Sequence, residues 1–295
     1  MKVILLLNKN SGRFKKERNC FTEKKIKDVF NWFNIETELI ELNNIDISEI
    51  LKPKLNSSID AVVAVGGDGT VSTAAAILSS HEIPLAILPA GSLNHFAKDL
   101  NIPFEIEKVA EYLSAGKTSK VDAGEVNGKI FINNSSIGFY PKVVRKRMEN
   151  QKPGSSKWTA MAEAVLNAFK NYPLLEVNLV SGNKKVHCET PFIFIGNNEY
   201  YMDILNLGKR EKLNEGFLSI YYPNSNDKYS MFRFAFLALI NKLNKPEDFT
   251  TMLTKELRLD IPRPSIEIAL DGELHKFTPP LEYKILPGCL NVIVP

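Results

Sequence analysis

Residues Ala61 to Thr70, AVVAVGGDGT, constrain the fold more than any other stretch of this chain. Five small or β-branched apolar residues in succession, Ala61 to Val65, fit a strand covered on both faces, as in a parallel sheet flanked by helices. Gly66, Gly67 and Gly69 then open a tight turn. Lacking a Cβ, they permit positive φ and let backbone N–H groups approach a ligand. Val71 to Ser79 is predicted as a helix whose N-terminus faces the same spot, which makes the turn an anion site. A bare carboxylate there would repel phosphate. Asp68 is therefore explained by a divalent cation, or a water on one, shared with the phosphates. The plainer alternative is an ordinary α/β turn with Asp as a turn former. The order of strand, glycines and helix favours the ligand site.

Other segments extend the same pattern. Lys2 to Leu7 reads as a first strand that empties into the polar loop Asn8 to Gly12, and Cys20 to Phe33 as an amphipathic helix. Thr37 to Leu42 is a second strand and Ile45 to Leu51 a short helix. Leu85 to Leu88 is a fourth strand, which opens into Pro89 to Asn94 (PAGSLN) ahead of His95 to Leu100. Strands alternating with helices predict a doubly wound parallel sheet, and the right-handed crossover rule gathers its loops on one sheet edge.

From about Lys120 the texture changes. Short strand-like runs separated by turn residues (Gly124 to Ile132, Leu175 to Val180, Lys185 to Glu189, Phe192 to Gly196, Phe217 to Tyr222, Leu257 to Ile261, Ser265 to Leu270, Leu281 to Ile285 and Leu290 to Val294) predict an antiparallel sandwich. Apolar stripes on Lys157 to Lys170 and Tyr229 to Leu243 predict two helices. The expected organisation is an α/β nucleotide-binding domain over 1–122 and a β-sandwich domain over 123–295, with the last strand able to return to the first domain.

Composition narrows the classes. A formal charge of +3 from 37 Lys and Arg against 34 Asp and Glu is too small to argue for nucleic acid. Three scattered cysteines, Cys20, Cys188 and Cys289, fit a reducing compartment, and the four histidines show no zinc-ligand spacing. No apolar run approaches the ~20 residues of a membrane span, and Met1 to Leu7 lacks a signal peptide's cleavage region. The expectation is a cytoplasmic protein, or one peripheral on a membrane. A basic run, Lys142, Arg145, Lys146, Arg147, Lys152 and Lys157, reads either as a solvated face or as a patch for an anionic membrane surface. Oligomeric state has no sequence signal.

Four motifs together carry a resemblance. Asn8 to Gly12 (NKNSG) resembles the first nucleotide loop of the diacylglycerol kinase catalytic family, usually Asn-Pro-x-Ser-Gly, with Lys9 in place of proline. Gly66 to Thr70 (GGDGT) is identical to that family's signature. Pro89 to Ala97 (PAGSLNHFA) resembles its third motif, usually Pro-x-Gly-Thr-x-Asn-Asp-x-Ala, and Asp271-Gly272-Glu273 its late Asp-Gly-Glu. The family includes bacterial soluble lipid kinases and the sphingosine and ceramide kinases. The resemblance implies an ATP- and magnesium-dependent lipid kinase that phosphorylates a hydroxyl of a diacylglycerol-like or long-chain-base lipid. Asn8, Ser11, Gly12, Gly66, Gly67, Asp68, Gly69, Thr70 and Ser92 would then hold the nucleotide. Asp68 would hold catalytic Mg2+, and Glu273 would act as general base. Asn94 and His95 would line the acceptor site, and Glu215 would sit where bacterial members carry a structural magnesium.

Three departures stand out: Val71-Ser72-Thr73 where many members have x-Asn-Glu, His95 where an acid is usual, and Glu215 for Asp. Asp271 to Glu273 alone also reads as a hairpin turn. The competing readings are a catalytically inactive lipid- or nucleotide-binding protein on the same fold, and an NAD kinase, which the missing Gly-Ser-Thr-Ala-Tyr stretch disfavours.

Overall fold

The computed structural model describes residues 1–17, 21–42, 47–138, 141, 145, 174–200, 210–223 and 249–295. Cys20, the helices expected over Lys157 to Lys170 and Tyr229 to Leu243, and the basic run except Arg145 lie outside the described residues. Two compact units divide the chain. The first comprises Met1–Ala123, Lys212–Asn214 and Leu286–Pro295, and the second Gly124–Glu211 and Glu215–Ile285.

The first unit is a mixed α/β domain with a parallel sheet. Its elements are β1 (Lys2–Leu7), α1 (Gly12–Lys16), α2 (Glu23–Trp32), β2 (Glu36–Glu41), α3 (Ile47–Leu51), β3 (Ala61–Gly66), α4 (Asp68–Leu78), β4 (Leu85–Pro89), α5 (His95–Asp99), α6 (Ile106–Ala115) and the first part of β5 (Thr118–Val126). The sheet order β2-β1-β3-β4 is parallel throughout, with Leu7 opposite Val65 and Val65 opposite Leu88. Val3 to Leu7 and Ala61 to Val65 are completely buried, as continuous apolar strands under two helical layers should be. Edge strand β2 keeps only Ile40 buried, because its charged residues face water. Helix α2 packs with α6, and α3 with α4. The chain leaves β1 toward one edge and β3 toward the other, so the order reverses between β1 and β3, where such sheets open a ligand crevice at their C-terminal ends.

Two local expectations change. Helix α4 begins at Asp68 rather than Val71, with Gly67 as its cap residue, so Asp68 lies in the first helical turn. Helix α6 was not anticipated, although Ile106, Val109, Ala110 and Leu113 bury one stripe of it and Gly116 closes it at φ 65°.

The second unit is antiparallel. It continues β5 and adds β6 (Lys129–Phe131), β7 (Asn134–Gly138), β8 (Leu175–Ser181), β9 (Lys184–Thr190), β10 (Phe192–Asn197), β11 (Leu218–Pro223), β12 (Phe249–Thr254), β13 (Glu256–Asp260), β14 (Ile266–Leu270), β15 (Glu273–Phe277) and the start of β16 (Leu281–Ile293). One layer runs β12-β11-β10-β7-β14-β15. The other includes β9-β8-β13 and the Leu281 to Lys284 part of β16. The alternation expected of such a sandwich is visible in β8, where Leu175, Val177 and Leu179 face a core shared with Ile193, Ile195, Ile220, Leu259, Ile268 and Tyr283.

The segment expected as one strand over Gly124 to Ile132 instead folds back on itself. Asn127 and Gly128, at φ 44° and 81°, form the two-residue turn of the β5–β6 hairpin. Conversely, the two final runs are one strand, β16, passing through Pro287-Gly288. Gly288 takes φ 56° and donates its N–H to Asp122 Oδ1 at 2.8 Å. Beyond it, Val292 pairs in parallel with Leu85 in the first unit's sheet.

Candidate active site

Three loops follow β1, β3 and β4 in the first unit, and side chains tie them to one another. Asn8 donates its side-chain N–H to Thr70 Oγ1 at 3.1 Å, and its Oδ1 accepts from the N–H of Asn10 at 3.0 Å. The first loop is thereby fixed to the first turn of α4. Arg13, directly after Gly12, donates its backbone N–H to the carbonyl of Ala90 at 2.9 Å, which joins the first loop to the third. Its guanidinium reaches the Phe104 carbonyl at 2.6 Å and Glu17 at 2.9 Å, and lies 4.2 Å from the Phe21 ring centre.

Glycine serves close approach here. A Cβ on Gly66 would meet Thr70 Oγ1 at 2.5 Å, and one on Gly91 would meet the Gly67 Cα at 2.5 Å. Gly66 and Gly67 do not use the positive φ that glycine permits; what those positions require is space.

Asp68 explains itself in part without a cation. Its two carboxylate oxygens accept the N–H groups of Asn94 at 2.9 Å and His95 at 2.7 Å, the start of α5. Asn94 is buried at φ 52°, accepts from the Gly91 N–H at 2.9 Å and donates to the Gly91 carbonyl at 3.0 Å. His95 and Ser92 are exposed, and Ser92 Oγ lies 3.3 Å from the position a Gly12 Cβ would take. Thr73 donates its hydroxyl to the Gly69 carbonyl within its own helix at 2.9 Å. Ser11 is different: its Oγ is buried and has no hydrogen-bond partner. Such a hydroxyl costs about 1–3 kcal/mol until something meets it.

These residues suit a nucleotide with magnesium. Asp68 has lone pairs beyond the two in use, since a carboxylate offers about four. Among the described residues no group of three or more His, Cys, Asp or Glu side chains converges. The remaining ligands of a magnesium ion here would be phosphate oxygens and water, its usual company.

In the second unit Asp271 and Gly272, at φ 48° and 85°, make the two-residue turn between β14 and β15. The turn is also a clamp. Asp271 accepts the N–H groups of Ile132, Asn133 and Asn134 at 2.9, 2.8 and 3.0 Å, and returns its own N–H to the Asn134 carbonyl at 2.9 Å. Arg210, fully buried, grips the same segment through the Ile132 carbonyl at 2.7 Å and Asn133 Oδ1 at 2.8 Å, and also reaches the Asn197 carbonyl at 3.1 Å.

Glu273 follows this clamp. Glu273 is exposed as a whole residue, yet partial burial of its carboxyl first, and the charge of Asp271 second, raise its pKa above the ordinary carboxylate value, while Lys129 opposes them. Glu215 donates its N–H to Asn198 Oδ1 at 3.1 Å, and its carboxylate lies 3.5 Å from the Glu199 N–H.

The structure thus brings Asn8, Ser11, Gly12, Gly66, Gly67, Asp68, Thr70, Ser92, Asn94 and His95 into one loop cluster of the first unit, and leaves Glu273 and Glu215 on the second. Sequence reasoning missed Arg13, Asp271 as a clamp, Asn133 and Arg210. Adjacency to Gly12 was a signal for Arg13. The others act across long sequence separations and had none.

Residues 2–126 match the family model described as the diacylglycerol kinase catalytic domain. Over that span the chain is similar to the diacylglycerol kinase catalytic family. Across a longer span the chain is 26% identical over 259 residues to a Mycobacterium tuberculosis diacylglycerol kinase, covering 85% of this chain and 82% of that one. It is 27% identical over 239 residues to an uncharacterized Synechocystis protein, covering 79% of this chain but only 54% of that one. A solved diacylglycerol kinase from Bacillus anthracis str. Sterne aligns with TM-score 0.69 at 20% identity, over 100% of this chain and 97% of its own. Another chain from that organism gives 0.77 at 21%, with the same coverage. These structural likenesses show that the fold of those solved chains extends through the antiparallel unit.

Proposed function

We propose that the chain is an ATP-dependent lipid kinase, transferring the γ-phosphate to a hydroxyl of a diacylglycerol-like or long-chain-base lipid. The observation that carries the reading is the loop cluster at the β1/β3 reversal, where GGDGT is hydrogen-bonded to the loops after β1 and β4 and the buried Ser11 hydroxyl lacks a partner. The first unit is the nucleotide domain in this reading and the second the lipid domain.

Phosphoryl transfer asks a protein mainly to position reactants and neutralise charge. Asn8, Ser11, Ser92 and the N–H groups opening α4 hold the nucleotide phosphates. Asp68 would hold Mg2+, directly or through water, and such an ion would supply charge neutralisation to the phosphates. Asn94 and His95 border the acceptor side. Glu273 accepts the proton of the lipid hydroxyl as that oxygen attacks phosphorus and the bond to the departing ADP oxygen breaks. A raised pKa makes it a better base for that late transfer than an ordinary carboxylate. Peripheral contact with an anionic membrane would bring the enzyme to its substrate. Glu215 is a candidate ligand for a second, structural magnesium.

The test is transfer of labelled phosphate from ATP with magnesium to a panel of diacylglycerol, monoacylglycerol, phosphatidylglycerol, sphingosine and ceramide. A labelled lipid that disappears in Glu273→Gln and Asp68→Ala is expected. Because Asp68→Ala also removes the acceptor for two N–H groups of α5, its melting temperature is measured alongside. A protein that binds ATP and lipid yet labels nothing would instead be an inactive binding protein, a reading favoured by the Ser72-Thr73 and His95 departures and by Asp68 being already engaged by backbone.

A further inference from the structure

The third loop and helix α5, which carry Ser92, Asn94 and His95, lie in sequence between Pro89 and Phe104, and one side chain reaches both ends of that segment. Arg13 Nη1 donates to the Phe104 carbonyl at 2.6 Å and, more weakly, to the Pro89 carbonyl at 3.5 Å. The backbone N–H of the same residue donates to the Ala90 carbonyl at 2.9 Å. Nε and Nη2 bind the Glu17 carboxylate, just past the end of α1, at 3.0 and 2.9 Å. Four of the five guanidinium N–H groups are thereby spent on the protein. The guanidinium carbon lies 4.2 Å from the Phe21 ring centre and 5.8 Å from that of Phe104, and Phe14 meets Phe21 edge-on at 4.8 Å.

An arginine directly after a phosphate-loop glycine would ordinarily be given the phosphate itself. Here the fork is turned to the protein instead. We propose that Arg13 is a positioning residue, a bracket that holds the third loop against the first so that Ser11, Gly12 and Ser92 keep one fixed spacing for the nucleotide phosphates. The proposal rests on the reading of these loops as the nucleotide site. Close approach makes a bracket necessary. A Cβ on Gly12 would lie 3.3 Å from Ser92 Oγ and 3.8 Å from the Ala90 carbonyl oxygen, so the loops touch through small residues with little side-chain surface to hold them together. Asp68 secures the middle of the Pro89 to Phe104 segment by accepting the N–H groups of Asn94 and His95, and Arg13 secures its two ends. A lysine could not do the same work, because separate nitrogens meet Glu17 and the two carbonyls at once and an ammonium is a single point of charge. The buried, unpartnered Ser11 hydroxyl is the neighbouring group that a fixed loop spacing leaves ready for an anion.

Calorimetry of full-length protein with ATP and, separately, ADP, each with magnesium, tests the bracket. Well below its measured melting temperature, Arg13→Met is expected to bind both nucleotides roughly tenfold more weakly, since even small misplacement of binding groups is costly. Arg13→Lys keeps the charge and loses the fork, so it should bind no better than Arg13→Met. Restoration by lysine would mean a direct charge contact with phosphate and overturns the proposal. Glu17→Ala separates the two roles by direction. It removes a negative charge and frees the guanidinium, so a phosphate-binding arginine would then hold nucleotide more tightly, whereas a bracket with one arm loosened holds it roughly twofold more weakly, as suits the loss of an exposed ion pair. Unchanged or tighter binding in Glu17→Ala overturns the proposal. In the kinase assay Arg13→Met should raise KM for ATP and leave KM for lipid alone, a split that general destabilisation would not produce. Hydrogen exchange of the nucleotide-free protein supplies a readout independent of function: the amides of Ala90 to Asn94 should exchange faster in Arg13→Met, and those of β1 and β3 should not. If the wild-type protein binds neither nucleotide while that exchange difference persists, the nucleotide reading fails and the bracket stands. If the wild type binds nucleotide and Arg13→Met binds it equally well, the bracket fails and the nucleotide reading stands.

Discussion

Asp271 shows how one side chain can settle the geometry of a site it does not enter. Its carboxylate takes three consecutive N–H groups from a segment more than a hundred residues earlier, so the hairpin bearing Glu273 is anchored to the start of β7. Removing the acceptor leaves these donors unmet near buried Ile132 and Asn133, at about 1–3 kcal/mol for each that water does not reach. Asp271→Ala should lower unfolding free energy by about 3 kcal/mol or more in urea titrations followed by circular dichroism. Asp271→Asn, which keeps acceptor oxygen, should lose less. Glu273 beside it gives a pH prediction. Its folded pKa is raised, so the folded state binds this proton more tightly than the unfolded one. The group's contribution to stability is therefore full below the unfolded value near 4.5 and is lost as pH rises through the folded value. Catalysis needs the opposite, ionised form. The acid limb of kcat/KM should accordingly lie above 4.5, and a limb at or below that value would show that Glu273 is not the base.

At the scale of elements, the first unit was legible because its pattern is local. Unbroken apolar runs such as Ala61 to Val65 announce buried parallel strands, and each of β1, β3 and β4 ends in a polar loop that sequence alone marks. What sequence does not contain is which atoms touch across those loops. Nothing beside Gly91 in the sequence marks a close contact, yet it faces Gly67 so closely that a Cβ would lie 2.5 Å from the Gly67 Cα and 2.8 Å from Asn94 Oδ1. Arg210 is hidden for the same reason: nothing nearby in sequence shows that its guanidinium will be buried against carbonyls from β6–β7 and β10. Short strand-like runs between turn residues predicted the sandwich, but the β5–β6 turn was missed, because Asn127-Gly128 interrupts a run that otherwise reads as one strand. Gly91→Ala tests the packing of the loops. The added methyl must push the third loop from the GGDGT turn, at about 1–3 kcal/mol for overpacking. ATP affinity, measured by calorimetry, should fall at least tenfold, more than the modest drop in melting temperature would suggest. Equal ATP affinity in the variant would show that the two loops need not touch to hold nucleotide.

For the whole molecule the open question is how a protein with no helix, among the described residues, long and apolar enough to cross a membrane would meet a lipid substrate. The overall charge of +3 offers little long-range attraction, so any electrostatic docking must be local. The stretch from Lys142 to Lys157 concentrates six cations around one carboxylate, Glu149, and of the six Arg145 is already paired with Glu267. Each remaining charge near an anionic surface contributes about 1 kcal/mol, enough together for reversible attachment and too little for permanent anchoring. Screening sets the sign of the test, because the Debye length falls from about 10 Å at 0.1 M salt to about 3 Å at 1 M. Full-length protein should sediment with phosphatidylglycerol vesicles at low salt, stay in solution with phosphatidylcholine vesicles, and be released as salt approaches about 1 M. Charge-reversing Lys146, Arg147 and Lys152 together should abolish vesicle binding while leaving phosphate transfer to detergent-dispersed lipid intact. Binding that ignores salt would place the attachment in apolar contacts instead, and the basic run would then be an ordinary solvated face.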